Sequence, residues 1–336
     1  MALYAVDDLT DAFEATRSFL WPVDLGRWAR LALLSLFVAG GGGGGGGSAS
    51  PQSPMQFTFD GTGAPGGPYI DGVGADLARF LEANLWPIVG IALVLVLLGL
   101  VLAWIAAVFE FTFLESLRSD AVHVREYSDR HRGAGTRLFA FRVLFGLLGA
   151  IVVGGMALLA IGPAALGIGT ASLALLVLFV PVFILGGLVA GVVYVFTTAF
   201  VVPIMLLEDR GVIAGWKRLW GVMRGNWAQF GVFVLVGLFV MIGIGIVVGI
   251  ATALLGVVIA IPFGLVFFLL LSAGVPALNV VAVVGLGVPF FLAMLAVVGF
   301  VQVPVQTYLR YWALFVLGDV EPDLDLVPDQ RAAVRE

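Results

Sequence analysis

The chain has 336 residues, 61% of them hydrophobic and 12% charged, with 22 acidic residues against 17 basic ones. Soluble domains carry about 45–50% apolar and about 25% charged residues, so this composition excludes an ordinary soluble domain and points to the membrane class. The chain has no cysteine, which excludes disulfides and thiolate metal sites.

Four stretches hold no Asp, Glu, Lys or Arg: 31–59, 83–109, 143–207 and 225–309. A spanning helix needs about 20 apolar residues, so the third and fourth must each fold back at least once. Residues 1–20 carry Asp7, Asp8, Asp11 and Glu14 in place of a basic region followed by an apolar core, so no cleavable signal peptide is expected. Residues 7–21 read instead as an amphipathic helix with Leu9, Phe13, Thr16 and Leu20 on one face, ended by Trp21-Pro22. Arg27, Trp28 and Arg30 mark a water interface. A first span follows over about 31–47 and runs into the glycines Gly40 to Gly47, read as a flexible exit, and then a Ser-, Pro- and Gly-rich loop over 48–75.

An approach helix over 76–86, with Leu77, Phe80, Leu81 and Leu85 on one face, leads to a second span over about 87–109. That helix is expected to continue into water through Glu110, Glu115 and Arg118, and 115–142 reads as a charged loop. Spans three and four cover about 143–161 and 172–202, joined by a tight turn from Gly162-Pro163 to Thr170. After a charged, Trp-rich segment at 208–227, span five covers about 228–257 and span six about 280–305. The 13 residues between Pro262 and Pro276 are too few to span and read as a re-entrant or interfacial turn. Residues 1–318 thus read as one transmembrane domain and 319–336 as an acidic cytoplasmic tail.

With six spans and the N-terminus inside, 16 of the 17 basic residues fall on the inner side, Arg79 being the exception. Seven spans would leave only 13 inside, and the positive-inside rule favours six, with both termini cytoplasmic at the cell membrane. A weak internal repeat is also visible. Laid without a gap over 214–228, residues 15–29 match at seven of 15 positions, including Trp21/Trp220, Gly26/Gly225 and Trp28/Trp227.

Few residues carry chemistry. Residues 212–224 form a basic amphipathic helix. Ile213, Trp216, Leu219, Trp220 and Met223 make its apolar face, and Lys217, Arg218 and Arg224 are its cations. Such a helix lies in the interface and attracts anionic lipid headgroups, so Trp216, Lys217, Arg218, Trp220, Arg224 and Trp227 are candidate lipid-contact residues; an ordinary topology anchor would look the same. Polar groups within the spans include Tyr194, Thr198 and Gln306, and the candidates of interest are Asn279, Gln302 and Thr197, which read as helix–helix hydrogen-bonding groups. Neither long uncharged stretch holds an ionisable group other than Tyr, which counts against an ion-coupled pump.

Glu110 and Glu115 are the paired carboxylates near a span end, and helix solvation with a Glu115–Arg118 pair accounts for them. His123 and Glu126 could share one helical face, but a solvated charged loop accounts for them as well. The segment Asp71-Gly72-Val73-Gly74-Ala75 starts like the motif of membrane phosphatidyltransferases, then places Asp76 where that motif needs Arg. The glycine run lacks the Lys-Ser/Thr of a phosphate loop. No catalytic set, metal site, cofactor or nucleic-acid partner is expected.

With one lysine against 16 arginines and its richness in Ala, Val and Gly, the chain resembles proteins of salt-loving archaea. Val202-Pro203-Ile-Met-Leu-Leu-Glu208, then Gly215-Trp-Lys-Arg-Leu-Trp220 and Asn226-Trp227, resembles uncharacterised six-span haloarchaeal membrane proteins. It is more distantly similar to the membrane domain attached to some glycerophosphodiester phosphodiesterases. That resemblance implies the membrane domain alone and carries no chemistry. The expectation is an all-α polytopic bundle that organises membrane lipids, anionic ones in particular, or assists a membrane partner without catalysis. The alternatives are a carrier for neutral or lipid-like substrates and a lipid-modifying enzyme. A mid-membrane cavity lined by Asn279, Gln302 and Thr197 would favour the carrier, and a metal near Glu110, Glu115 and His123 the enzyme.

Overall fold

A computed structural model describes residues 4–40, 69–165, 169–272 and 285–335. The described residues are almost wholly helical and contain no strand. In chain order the helices are α1 (Tyr4–Leu20), α2 (Leu25–Gly40), α3 (Tyr69–Ser119), α4 (Val124–Ala165) and α5 (Gly169–Phe196). A π turn (Thr197–Val201) leads to α6 (Val202–Glu208), α7 (Val212–Gly225), α8 (Trp227–Ser272) and α9 (Gly287–Val320). A 3₁₀ turn (Pro322–Leu324) and α10 (Pro328–Arg335) close the chain. Among the described residues five helical segments are long and apolar enough to cross a membrane: Glu82–Ser119, Val124–Leu159, Phe179–Glu208 (through α5, the π turn and α6), Trp227–Ser272 and Gly287–Val320. That fits a multi-pass membrane protein.

The chain divides into two units, Met1–Ser48 with Trp104–Glu336, and Ala49–Ala103. In the smaller unit the described part is the first portion of α3. It is distorted at Asn84 (φ −117°, ψ 18°), three residues before Pro87. Proline lacks the N–H that would bond the carbonyl four residues back and its ring crowds that carbonyl, which accounts for the break. Tyr69–Ala75, read from sequence as loop, already belongs to this helix. The glycines from 41 to 47 and most of the 48–75 loop lie outside the described residues.

In the larger unit the buried side chains gather at the charged end of the helices. Phe111, Leu114, Leu117, Leu138, Phe200, Ile204, Leu219, Phe230, Tyr311, Phe315 and Leu317 make one core with Leu31 and Leu34 of α2. Away from that end the apolar side chains of α4, α5 and α8, such as Leu147, Ile184 and Val247, are exposed. In water such faces would be untenable, and hydrocarbon is the solvent they suit. α2 and α9 cross closely. A Cβ on Gly299 would lie 3.0 Å from the Ala32 carbonyl oxygen, and Ser35 Oγ donates to the Gly299 carbonyl at 3.0 Å. Small residues at the crossing let the two backbones approach.

Several sequence expectations are corrected. Residues 115–142 are a helix, a four-residue turn and a second helix rather than a loop. Ion pairs Arg130–Glu126 (3.2 Å) and Arg132–Asp129 (2.6 Å) support the first turns of α4, and Leu138 is buried. α8 continues through Pro262 to Ser272, so no re-entrant turn begins there; 273–284 lie outside the described residues. The turn expected from Gly162 to Thr170 shrinks, since α4 reaches Ala165 and α5 starts at Gly169. α2 has only 16 residues, with 41–47 undescribed.

The buried residues of α1 are Ala5, Asp8, Ala12, Ala15, Thr16, Phe19 and Leu20, so Thr16 and Leu20 of the expected face are covered and Leu9 packs against the core, whereas Phe13 faces outward. Trp21–Asp24 interrupt the helices whereas the aligned Trp220–Met223 lie inside α7, so the two echoing segments differ in backbone. Residues 321–335 pack back against the rest of the larger unit. Leu324, Leu326 and Val327 are buried, and Arg335 reaches Asp8, Asp11 and Asp319, each at 2.7 Å.

Candidate functional site

Glu110, near the end of α3, is 2% exposed and sits between two arginines. Its Oε1 accepts from Arg310 Nη2 of α9 at 2.7 Å and its Oε2 from Arg142 Nη2 of α4 at 2.5 Å. The expected solvation of this carboxylate is therefore corrected. A carboxylate buried with both oxygens held by guanidinium groups is tolerated where the same groups unpaired would not be.

The fourth member is Thr198 in the π turn. Its hydroxyl accepts from Arg142 Nη2 at 3.0 Å and its carbonyl from Arg310 Nη1. The local sequence makes that carbonyl available. The Val202 N–H bonds the Thr197 carbonyl, one residue wider than α spacing. At that spacing the Thr198 carbonyl would await the N–H of residue 203, which is proline and has none. Arg310 supplies the missing donor. The Tyr194 ring, one turn earlier, lies 5.2 Å from the Arg142 guanidinium. Three helices and the π turn thus meet at one cluster with two cations and one anion, so its charge is net positive.

α7 packs on the other side of the π turn. A Cβ on Gly215 would come within 2.9 Å of Val201 Cγ1, so this glycine permits the approach. Trp216 donates its indole N–H to Thr197 Oγ1 at 3.1 Å, and Thr197 donates to the Val193 carbonyl at 2.7 Å. The buried face of α7 is Val212, Gly215, Leu219, Val222 and Met223, while Ile213, placed on the apolar face from sequence, is exposed.

The lipid-contact candidates separate accordingly. Trp216 is a packing residue, and Arg218 is half-buried, 3.4 Å from both Glu208 and Glu321. Lys217 and Arg224 are exposed. Trp220 and Trp227 stand edge to face at 5.2 Å with Arg224 lying 5.7 Å from the Trp220 ring. Of the intramembrane polar candidates, Thr197 and Gln302 are buried; Gln302 accepts from Gln306 at 3.5 Å, and Asn279 lies outside the described residues. Glu115 approaches Arg118 at 4.0 Å as expected and also His131 at 3.8 Å. His123 instead stands edge to face with Tyr127 at 5.7 Å.

A family model matches residues 3–327, and it carries the description of a family of unknown function, DUF7544. The chain belongs to the DUF7544 family. No curated protein and no solved structure matches this DUF7544 chain.

The brace that Arg142 and Arg310 form on Glu110 is not legible in the sequence, where the two arginines count only as inner-side charges. Their contexts, Phe139-Ala-Phe-Arg142-Val-Leu-Phe145 and Leu309-Arg310-Tyr-Trp-Ala313, were the available signal. A single charge with apolar residues on both sides along a helix needs a buried partner.

Proposed function

We propose that this DUF7544 chain is a non-catalytic membrane protein that organises lipids, anionic ones in particular, or steadies a membrane partner. The observation that carries the reading is the outward face of α7 and the start of α8, where Lys217, Arg224, Trp220 and Trp227 are exposed together. Indoles favour the headgroup level, and each exposed cation adds about 1 kcal/mol of attraction to an anionic leaflet. Glu110, the carboxylate an enzymatic reading would enlist, has both oxygens engaged by arginine. Thr197 and Gln302, two of the three groups a carrier reading would enlist, are packed among neighbours.

The reading includes six crossings with both termini cytoplasmic. α1 and α10 meet, which suits an even number of crossings, and the uncharged stretch 31–59 of the sequence would add one to the five apolar segments. The positive-inside rule then assigns the charged end to the cytoplasm. The haloarchaeal kinship and the distant similarity to phosphodiesterase membrane domains belong to the same reading. So does the weak repeat, whose aligned Trp21 and Trp220 are both exposed.

Quenching of indole fluorescence by brominated lipids tests the proposal in the full chain. The signal lost in a Trp220→Phe/Trp227→Phe variant should be quenched more by brominated phosphatidylglycerol than by brominated phosphatidylcholine. Lys217→Gln/Arg224→Gln should abolish that preference. Equal quenching by the two lipids would remove the lipid-organising reading.

A further inference from the structure

At the same charged end, α2 and the turn between α3 and α4 enclose an open groove of about 620 Å³. It is lined by Arg30 and Leu33 of α2, by Val122 and His123 of the turn, and by Val124 and Arg125 at the start of α4. We propose that this groove binds the phosphate of an anionic phospholipid, held by Arg30, Arg125 and the N-terminus of α4, with Leu33, Val122 and Val124 against its apolar part. The inference rests on the reading that this end lies at the membrane surface.

The charge balance of the groove carries the argument. Glu126 and Asp129 also line it, but Arg130 and Arg132 compensate them at 3.2 and 2.6 Å. The neighbouring Arg27 is likewise engaged, by Asp120 at 2.6 Å. Among the described residues Arg30 and Arg125 have no carboxylate partner, and Arg30 donates only to the Val122 carbonyl, at 3.2 Å. Two uncompensated cations therefore face one open space.

A second contribution comes from the backbone. The first bond into α4 is Tyr127 N–H to the His123 carbonyl, so the N–H groups of Val124, Arg125 and Glu126 have no carbonyl within the helix. The positive end of a long helix dipole adds to the two guanidinium groups, which makes an anion the complementary ligand. The same space has apolar walls, and Leu33 is 45% exposed. A free phosphate would leave Leu33 uncovered, whereas the apolar part of a phospholipid covers it.

The test uses the full chain in mild detergent, incubated with equal amounts of phosphatidylglycerol and phosphatidylcholine, with retained lipid counted by native mass spectrometry. One phosphatidylglycerol per chain should be retained in preference to phosphatidylcholine. Arg30→Gln/Arg125→Gln should weaken its retention by roughly tenfold or more. Glu126→Gln, which removes an anion from the rim, should retain it at least as well, and this variant decides the matter if the double one fails to fold. Wild-type retention in a folded double variant would overturn the proposal, as would loss of retention in Glu126→Gln. Displacement of the lipid by an equal concentration of inorganic phosphate would reassign the groove to a free anion and overturn it as well. Lys217→Gln/Arg224→Gln should leave this lipid in place, so failure of the α7 reading and failure of the groove are told apart.

Discussion

Glu110 shows what one buried carboxylate does when two helices bring it cations. Replacing it with Gln keeps the shape and removes the charge, leaving Arg142 and Arg310 buried without a counter-ion. Breaking a buried pair in this way costs about 3–5 kcal/mol. Glu110→Gln should lower the midpoint of unfolding in mild detergent markedly. Adding Arg310→Gln should recover part of the loss, because the two sites share one network. A double variant no more stable than the single one would show that the brace does not act as a unit.

Asp8 presents the opposite case. It is fully buried, and its carboxyl is pushed up to about 7, first by burial and then by the Asp319 carboxylate, against the opposing pull of Arg335. The charged and titratable groups facing it are Asp11 on α1, Asp319 on α9 and Arg335 on α10. A carboxyl with a raised folded value holds more protons folded than unfolded between about 4 and 7, so stability falls as pH rises through that window. Melting followed from pH about 8 down to about 5 should show the wild type gaining stability towards acid. Asp8→Asn should flatten that slope.

Among the helices, the close α3–α4 hairpin depends on a glycine. A Cβ on Gly135 would lie 2.7 Å from Val108 Cα, and backbone cannot turn aside as a side-chain tip can. Gly135→Ala should therefore part the two helices and cost about 1–3 kcal/mol. Gly221, within α7, has nothing within 4 Å of its would-be Cβ, so Gly221→Ala should gain up to about 1 kcal/mol from helix propensity alone. Equal effects in a denaturant titration would show that the contact at Gly135 is not tight. α8 raises a different question of length. Its 46 residues make a helix of about 69 Å, more than twice the ~30 Å of hydrocarbon. Its exposed Leu254, Val258 and Leu265 do not suit water, so tilt or bending in the bilayer has to accommodate the excess.

For the whole molecule, topology is the decisive measurement. Gln330 of α10 donates to the Leu117 and Arg118 carbonyls at 3.2 and 2.9 Å, tying the C-terminal helix to the end of α3, just before the turn into α4. Single cysteines at Asp129 and Ala332 should therefore label from the same side with a membrane-impermeant reagent, and one at Ser53 from the other. External labelling of Ala332 with Asp129 protected would overturn the proposed six crossings in favour of seven.

The sequence by itself determined the class of the molecule, because four uncharged stretches have one stable solvent. It also located the amphipathic helix at 212–224 and the Glu115–Arg118 contact, since both depend on spacing along one helix. Tertiary structure decided the rest. The Glu110–Arg142 and Glu110–Arg310 contacts join residues 32 and 200 positions apart in sequence, and no local period signals that they meet. Thr16 and Leu20 of α1 and Leu219 and Met223 of α7 are buried as their spacing implies, but Phe13 and Ile213 face outward because the neighbours, not hydropathy, chose where the buried side ends. Helical periodicity marks a stripe. Which part of it is covered depends on glycines such as Gly215 and Gly299, where another backbone comes close enough to exclude a side chain.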